Sequence, residues 1–349
     1  MIDVTVVLLD GAYMSTAVGP LEVFHSAGTL WNVLVGQPQT PRFRVRTASL
    51  RNAPVQSPHG VRLSAETTIG QVRSTDLIVV TATGLNLDEQ LEANRDLFPW
   101  LRRHAAKGAY VAGICSGAAY LAAAGLLDGR EATTHWACAA ELQRRFPAVQ
   151  WRPEKFVTED RRVLCSGGVY ASIDLSLYLV EKLCGHDIAV HTAKSLLINM
   201  PRAQQTGYAL LPLARPHDDD VIRAAEVRIQ RDYTQPLDIE ALARQTHMSP
   251  RNFIRRFKTA TGRTPGSYLQ GTRIAVAKQM LESGARSVQT VGAAIGYEDA
   301  AFFRAVFKRH AGMAPGEYRK NFGAVQMEGT QRQAARTLRS ADRAINRAG

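Results

Sequence analysis

Cys115 stands in a segment that could do nucleophilic chemistry. An apolar, strand-like run leads into Gly113-Ile114-Cys115-Ser116-Gly117, and a helical pattern follows. Small residues around a central nucleophile are typical of a sharp strand-to-helix turn that lifts the side chain above a sheet. A thiol at a helix N-terminus is a candidate for a lowered pKa, and His135 is a candidate base. The alternative is a small residue filling a tight turn, with an unrelated core histidine nearby.

A second group of residues could bind a polyanion. Segment 253–268 recurs 50 residues later as 303–318, with the shared pattern Phe-x3-Phe-Lys-x3-Gly-x2-Pro-Gly-x-Tyr. The phenylalanines four apart predict a buried helical stripe, the glycine suits a helix C-cap, and the proline suits the start of the next helix. Each copy follows a short helical pattern, and two helices joined by a turn form the helix-turn-helix arrangement.

The second helix of each copy carries the positive charge. Ser249 can cap the first of these helices and Asp299 the second. Between the copies, residues 265–283 predict one helix of about 19 residues, roughly 28 Å long, which is close to the ~34 Å between successive major-groove faces. The pattern therefore predicts two recognition helices on double-stranded DNA, although a basic bundle with a solvated face is the alternative. The candidate DNA-binding residues are Arg251, Asn252, Arg255, Arg256 and Lys258, then Arg304 and Lys308.

The charge distribution supports a polyanion partner for the C-terminal part. The chain has a formal net charge of +12, of which residues 1–217 carry +3 and residues 218–349 carry +9. Between residues 241 and 322 there are 14 basic and 4 acidic side chains. Charge concentrated in this way is typical of a nucleic-acid-binding domain.

The elements that would position these residues fall into two classes. In residues 1–186, strand patterns at 4–9, 43–48, 77–81 and 109–114 alternate with helical patterns near 19–31, 94–106 and 117–126. A predicted hairpin at 154–166 and an apolar helix at 171–184 follow. This alternation predicts an α/β doubly wound, flavodoxin-like domain. Residues 187–217 are predicted as a docking helix, running to about Asn199, and a linker, with Asp218 capping the next helix.

From residue 218 onward the sequence predicts only helices. Residues 218–322 form the predicted all-α double helix-turn-helix domain, and residues 323–349 form a tail with little apolar periodicity. That composition predicts disorder for the tail.

Segment 220–322 resembles the DNA-binding domain of the AraC/XylS regulators. The segment departs from the family's usual pattern at His247, in place of a turn glycine, and at Gly292, in place of a helical alanine. A glycine there should cost roughly 1 kcal/mol relative to alanine. The matching residues are Ala241-x6-Met248-Ser249-x3-Phe253-x3-Phe257-Lys258, Tyr268-x4-Arg273-x3-Ala277, Val291-x3-Ile295-Gly296-Tyr297 and Phe303-x3-Phe307-x4-Gly312-x2-Pro315-x2-Tyr318-Arg319.

The N-terminal part resembles the ThiJ/PfpI branch of the class I glutamine amidotransferase-like fold. The matching segments are 19–24, the elbow 113–117 and 121–136, which ends in Thr133-Thr134-His135-Trp136. Enzymes of that superfamily pair the cysteine with an acid four residues before the proline of the first segment. This chain has Thr16 there, which cannot act as a carboxylate base, and Glu22 is expected to face elsewhere. The cysteine remains while its acid partner is absent, so the resemblance implies a pocket that survives without the chemistry.

A chain with these two resembling domains in this order is similar to the GlxA-type transcriptional regulators. The resemblance implies a homodimeric, DNA-binding activator of catabolic genes that senses a small nitrogenous metabolite. The candidate ligand-binding residues are then Cys115, Ser116, His135 and Thr16. Trp136 and Tyr120 could offer aromatic faces to a cation, although core packing is the favoured interpretation.

Two other functions use the same thiol. One is a cysteine-dependent hydratase or amidohydrolase with accessory DNA binding, and the other is a redox sensor. The four cysteines lie 19 or more residues apart without a CxxC pair, which argues against a zinc site and a disulfide framework. The sequence suggests no cofactor, and it has neither a membrane-length apolar run nor a basic leader. We therefore expect a cytoplasmic protein.

Overall fold

The structure, a computed structural model, describes residues 1–84, 86–200, 217–283 and 287–322. The chain divides into two compact units, Met1–Ala209 and Leu210–Gly349. This division falls within the segment predicted as a linker. The predicted tail, residues 323–349, lies outside the described residues.

The first unit alternates strands and helices as expected. Its strands are β1 Ile2–Leu8, β2 Phe43–Ser49, β3 Val55–Gln56, β4 Arg62–Leu63, β5 Thr67–Thr68, β6 Leu77–Val80, β7 Tyr110–Ile114, β8 Glu131–Ala132, β9 Gln150–Trp151, β10 Val157–Asp160 and β11 Val163–Ser166. Its helices are α1 Ser15–Ser26, α2 Leu30–Leu34, α3 Leu87–Ala93, α4 Leu97–Ala106, α5 Gly117–Ala123, α6 Ala139–Arg145, α7 Ala171–Cys184 and α8 His186–Ser195.

Seven of these strands form one sheet in the order β10-β11-β7-β6-β1-β2-β5. Strand β10 is antiparallel to β11, and the other neighbours are parallel. The antiparallel pair is the predicted hairpin. Strands β3 and β4, and β8 and β9, form two separate two-stranded sheets. The predicted doubly wound α/β fold is therefore confirmed.

The central strands are buried on both faces, which explains their continuous apolar runs. Along β6, Leu77 and Val79 contribute to one core, whereas Ile78 and Val80 contribute to the other. Helices cover both faces of such a sheet. The carboxyl edge of β6 and β7 carries the predicted elbow.

Some helix boundaries differ from the sequence prediction. Helix α1 begins at Ser15, before the predicted 19, and contains Pro20 in its interior. Helix α8 ends at Ser195 rather than near Asn199, and Leu197 adopts a left-handed φ of 53°. The N-cap of the next helix is Asp219, not Asp218, since the Asp219 carboxylate accepts the N–H of Ile222.

The second unit is helical throughout the residues that the structure describes. Its helices are α9 Asp220–Arg231, α10 Ile239–Gln245, α11 Pro250–Thr261, α12 Pro265–Glu282, α13 Val288–Ala294, α14 Ala300–Ala311 and α15 Pro315–Phe322. Helices α10 and α11 form one helix-turn-helix, and α13 and α14 form the other. Each pair has its own apolar cluster, to which α12 contributes residues.

Candidate functional site

Cys115 occupies a strained turn between β7 and α5, as the elbow pattern predicts. Its φ of 54° lies in the left-handed region, which non-glycine residues enter at a cost. Gly117 packs against the end of β6, because a Cβ there would lie 2.7 Å from the carbonyl oxygen of Val80. A glycine after the cysteine is therefore a steric requirement of this turn.

The Cys115 thiol is not a low-pKa nucleophile, so that expectation is wrong. The side chain is 7% exposed, and burial raises its pKa to about 12. The backbone N–H groups of Ser116 and His135 hydrogen-bond the sulfur and lower the pKa, but the loss of water outweighs them. The thiol is therefore protonated at neutral pH.

The imidazole of His135 is not the partner that the sequence suggests. Its Nδ1 accepts the N–H of Ala137 at 3.1 Å, and its other edge faces Gly168, where a Cβ would lie 3.1 Å from Cδ2. Burial lowers the pKa of His135, which favours the neutral ring. The predicted Cys–His pair is present only as a contact between the His135 backbone and the sulfur.

Thr16 occupies the position of the missing acid and is fully buried. Its hydroxyl donates to the carbonyl of Tyr13 at 2.6 Å and accepts the N–H of Ala82 at 3.1 Å. Both contacts suit a hydroxyl, which can donate and accept at once. Glu22 is exposed, as expected.

Ser116 and Tyr120 join the elbow to the chain that follows β6. The Ser116 hydroxyl donates to the Thr83 carbonyl at 2.8 Å, and the Tyr120 hydroxyl lies 2.8 Å from the Thr83 hydroxyl. Tyr120 is fully buried, and burial raises its pKa to about 12. Tyr120 therefore packs in the core, whereas Trp136 is half-buried, with its ring centroid 5.1 Å from that of His135.

Two buried serine hydroxyls near these elements have no hydrogen-bond partner. They belong to Ser166, at the end of β11, and Ser172, in the first turn of α7. The backbone carbonyl of Ser166 accepts the N–H of Cys115 at 3.0 Å, so Ser166 adjoins the elbow. Ser172 faces α1, because a Cβ at Gly19 would lie 3.6 Å from its Oγ. Sequence patterns gave no signal for either serine, since an isolated serine is common in any element.

The two recognition helices share their predicted capping. Ser249 and Asp299 accept backbone N–H groups at the starts of α11 and α14. Gly262 and Gly312 end these helices with left-handed φ values of 79° and 74°. The phenylalanines of both repeats are fully buried, as predicted: Phe253, Phe257, Phe303 and Phe307.

All seven predicted DNA-binding side chains are exposed, on α11 or α14. Arg255 donates to the side-chain oxygen of Asn252 at 3.0 Å, so these two residues present a joined polar group. Arg256 differs, because it makes a bidentate ion pair with Asp219, the N-cap of α9, at 2.7 and 3.0 Å. Arg256 therefore also ties α11 to α9.

Arg273 links the two helix-turn-helix units. From α12 its guanidinium donates to the carbonyls of Tyr233, Thr234 and Gln235, in the loop between α9 and α10, and to the carbonyl of Gly296, in the turn between α13 and α14. It also lies over the Tyr297 ring, 5.1 Å from the centroid. The sequence includes Arg273 in a motif but gives no sign of this bridging role.

The two departures from the AraC/XylS pattern have different structural meanings. His247 adopts a φ of 53°, the left-handed conformation that a turn glycine would adopt more easily. At Gly292 a Cβ would lie 2.9 Å from Cδ1 of Phe303. The expected advantage of alanine at this position is therefore wrong, because the buried Phe303 ring occupies the space.

Two further features concern only the residues that the structure describes. No helix there is long and apolar enough to cross a membrane. No group of three or more His, Cys, Asp or Glu side chains there could hold a metal ion.

Known proteins match both halves of the chain. The sequence model of the DJ-1/PfpI family matches residues 3–182, which is more than half of the chain. The chain belongs to the DJ-1/PfpI family. A helix-turn-helix domain model matches residues 242–321. The expected combination of a DJ-1/PfpI domain with an AraC-type helix-turn-helix domain is thus confirmed.

Three curated relatives illustrate this similarity. The HTH-type transcriptional regulator CdhR of Pseudomonas aeruginosa is 28% identical over 309 residues, 87% of this chain and 86% of CdhR. The HTH-type transcriptional regulator GlxA of Rhizobium meliloti is 33% identical over 229 residues, 64% of this chain and 69% of GlxA. Isonitrile hydratase of Pseudomonas putida is 36% identical over 137 residues, 39% of this chain and 58% of the hydratase. The regulators thus match both units, whereas the enzyme matches a shorter stretch.

Proposed function

We propose that this protein is a sequence-specific transcriptional regulator whose DJ-1/PfpI domain senses a small nitrogenous metabolite. The observation that carries the proposal is the pair of recognition helices with exposed basic side chains, whose two helix-turn-helix units are linked by the hydrogen bonds of Arg273. The similarity to CdhR and GlxA, both transcriptional regulators by name, supports it. A homodimer in the cytoplasm that activates catabolic genes is the form we propose for this regulator.

DNA binding is tested with the full-length protein and the DNA upstream of its own gene. We expect a specific complex whose affinity falls steeply with salt, because Lys and Arg displace counterions from phosphates. Replacing a base-reading side chain, Arg255→Ala or Arg304→Ala, should weaken the specific complex by about 1–3 kcal/mol. Arg244→Ala, on the first helix of its pair, is the matched control and should change affinity little. Binding of equal strength to unrelated DNA would contradict the proposal.

The effector pocket is proposed beside Cys115, at the carboxyl edge of the sheet. Ligands of open α/β sheets bind at this edge. The buried hydroxyls of Ser166 and Ser172 have no partner in the protein, so a ligand that bonded them would satisfy groups that are otherwise costly to bury. His135 and Thr16 lie on elements that flank the elbow.

The effector is tested by a thermal-shift screen of amino acids, betaines and polyamines. A ligand that binds only the folded protein raises Tm with concentration. Ser172→Ala should reduce this shift without destabilising the free protein, because the lost hydroxyl has no partner. Ser176→Ala, one turn along α7, is the matched control, since its hydroxyl donates to the Ser172 carbonyl at 2.8 Å. Equal ligand shifts in both variants would contradict a pocket at Ser172.

The competing function is an enzyme that uses Cys115, which the similarity to isonitrile hydratase favours. The protonated thiol and the absence of a carboxylate at position 16 argue against it. The Cys115→Ser variant should bind DNA as the wild type does, and neither protein should hydrate isonitriles. Turnover by the wild type that Cys115→Ser abolishes would favour the enzyme. DNA binding that is insensitive to peroxide would exclude the redox sensor.

A further inference from the structure

The two recognition helices, α11 and α14, are capped and packed in the same way, so their residues can be compared position by position. Both follow an acceptor N-cap, end at a left-handed glycine and bury two phenylalanines. Within each buried pair the ring centroids lie 5.7 Å apart in α11 and 5.8 Å apart in α14. A shift of 50 residues therefore superposes the solvent face of α11 on that of α14.

The two solvent faces differ in chemistry. The exposed positions of α11 opposite the buried stripe include Arg251, Asn252 and Arg255. The equivalent exposed positions of α14 are Ala301, Phe302 and Ala305. At these three equivalent positions, a hydrogen-bonding patch in the first repeat thus corresponds to an apolar patch in the second.

Phe302 is an exposed aromatic side chain in a fixed position. Its side chain is 53% exposed, and its ring leans on the buried Tyr297, with the centroids 5.9 Å apart. The apolar patch lies among the cations Arg304, Lys308 and Arg309, which are also exposed. Such a patch suits a partner that is polyanionic yet offers apolar groups between its charges.

The major groove of DNA is such a partner, because thymine presents its C5-methyl group there, between the phosphate backbones. Alanine and phenylalanine are among the side chains that contact this methyl. The small alanines also let the helix approach the bases closely. We propose that α14 reads thymine methyl groups through Ala301, Phe302 and Ala305, beside any base contact of Arg304, whereas the equivalent three positions of α11 read hydrogen-bonding base edges. This inference rests on the proposed DNA-binding function.

The test uses duplexes that the full-length protein selects from a random-sequence library. Each thymine of a selected duplex is replaced in turn by deoxyuridine, which removes only the methyl group. We expect about a fourfold loss of affinity for each thymine that α14 contacts, the size for one buried methyl. In Phe302→Ala the loss at the thymine under residue 302 should disappear, and Phe302→Leu, which keeps an apolar contact, should restore most of it.

Asn252→Ala is the matched variant of the first repeat, since residue 252 is equivalent to 302. It should weaken binding to thymine and deoxyuridine duplexes alike, so that the ratio of the two affinities stays unchanged at every position. Both positions are exposed, so neither change removes core packing. Selective binding without a deoxyuridine effect, or with an effect that Phe302→Ala leaves intact, would overturn the inference alone. Such a result would favour a protein partner for this patch. Failure of the library to yield any preferred duplex would overturn the inference together with the DNA-binding function.

Discussion

The two helix-turn-helix units share the residues that cap and pack their recognition helices. They differ at solvent-exposed positions, where neither capping nor packing restricts the residue. Phenylalanine pairs, N-caps and C-cap glycines recur because each satisfies the core or a helix end. The solvent faces are under no such demand, and at three equivalent positions the first helix has polar residues where the second has apolar ones. The difference teaches that the repeat specifies how the helices are held, whereas the intervening residues specify what each helix can contact.

The turns within the two units also differ. The left-handed residue is the exposed His247 in the first turn and Gly296 in the second. The second turn meets the loop between α9 and α10, since a Cβ at Gly296 would lie 2.3 Å from the carbonyl oxygen of Thr234. We call the contact of Arg273 and Gly296 with the loop between α9 and α10 the joint. The second turn is the part of this joint that tolerates no side chain.

The largest expected effect separates these two turns. Gly296→Ala combines a φ of 85° with backbone and Arg273 clashes, and we expect a loss of about 3 kcal/mol or more in the free energy of unfolding. His247→Gly should change it by less than about 1 kcal/mol, because relief of strain and a more flexible unfolded chain oppose each other. Hydrogen exchange of the α12 amides in increasing urea measures the change in the free energy of unfolding for both variants. Equal losses would mean that the turns are equivalent after all.

The next effect concerns the joint itself. Arg273→Met leaves four backbone carbonyls without their donor and should cost about 1.5–3 kcal/mol, the range for hydrogen bonds to a charged group. Arg244→Met, on the surface of α10, should cost less than about 0.5 kcal/mol. DNA affinity provides a second readout. Arg273→Met should weaken binding to a duplex that contains the contact sites of both recognition helices more than binding to a duplex that contains only one. Equal weakening of the two complexes would contradict the joint.

A smaller effect distinguishes the two short helices. By the position of the left-handed turn residue, Gly292 in α13 is equivalent to Ala243 in α10. We expect Gly292→Ala and Ala243→Gly both to destabilise, each by about 1 kcal/mol, although the changes are opposite. The first displaces the buried Phe303 ring, and the second loses helix propensity. A more stable Gly292→Ala protein would mean that the two cores are interchangeable.

The smallest effect belongs to the Arg256–Asp219 ion pair of the first helix-turn-helix, which has no counterpart in α14 because Val306 stands at the position equivalent to Arg256. The Arg256 guanidinium lowers the pKa of the Asp219 carboxyl, so the pair stabilises the folded state above the carboxyl's usual pKa and the contribution is lost as pH falls through the depressed value. Asp219→Asn keeps an N-cap acceptor but removes the charge. Its urea midpoint should lie slightly below that of the wild type at pH 7, and the difference should vanish in acid. A constant difference would assign the effect to the cap instead.

Much of the fold follows from local patterns in the sequence. Apolar runs predicted the central strands, because buried parallel strands need apolar residues on both faces. The repeat predicted α11, α12 and α14 within a residue or two, since caps and buried phenylalanines act over short distances. The ends of α1 and α8 were less predictable, because tertiary packing rather than a capping pattern decides where they begin and end.

The candidate sites divide in the same way. The elbow at Cys115 and the exposure of the basic side chains were predictable, because a glycine-flanked turn and an amphipathic stripe are local features. The protonation of the thiol was not, since it depends on how much water the rest of the domain excludes.

The sequence by itself determined the two domain types, the repeat and the residues that could meet DNA. Only the tertiary structure decided that Arg273 joins the two repeats, that Arg256 pairs with Asp219 and that Gly292 leaves room for Phe303. The partners in these contacts lie 11 to 40 residues apart along the chain. A local pattern reports the helix that a residue occupies, whereas its contacts depend on how the helices pack.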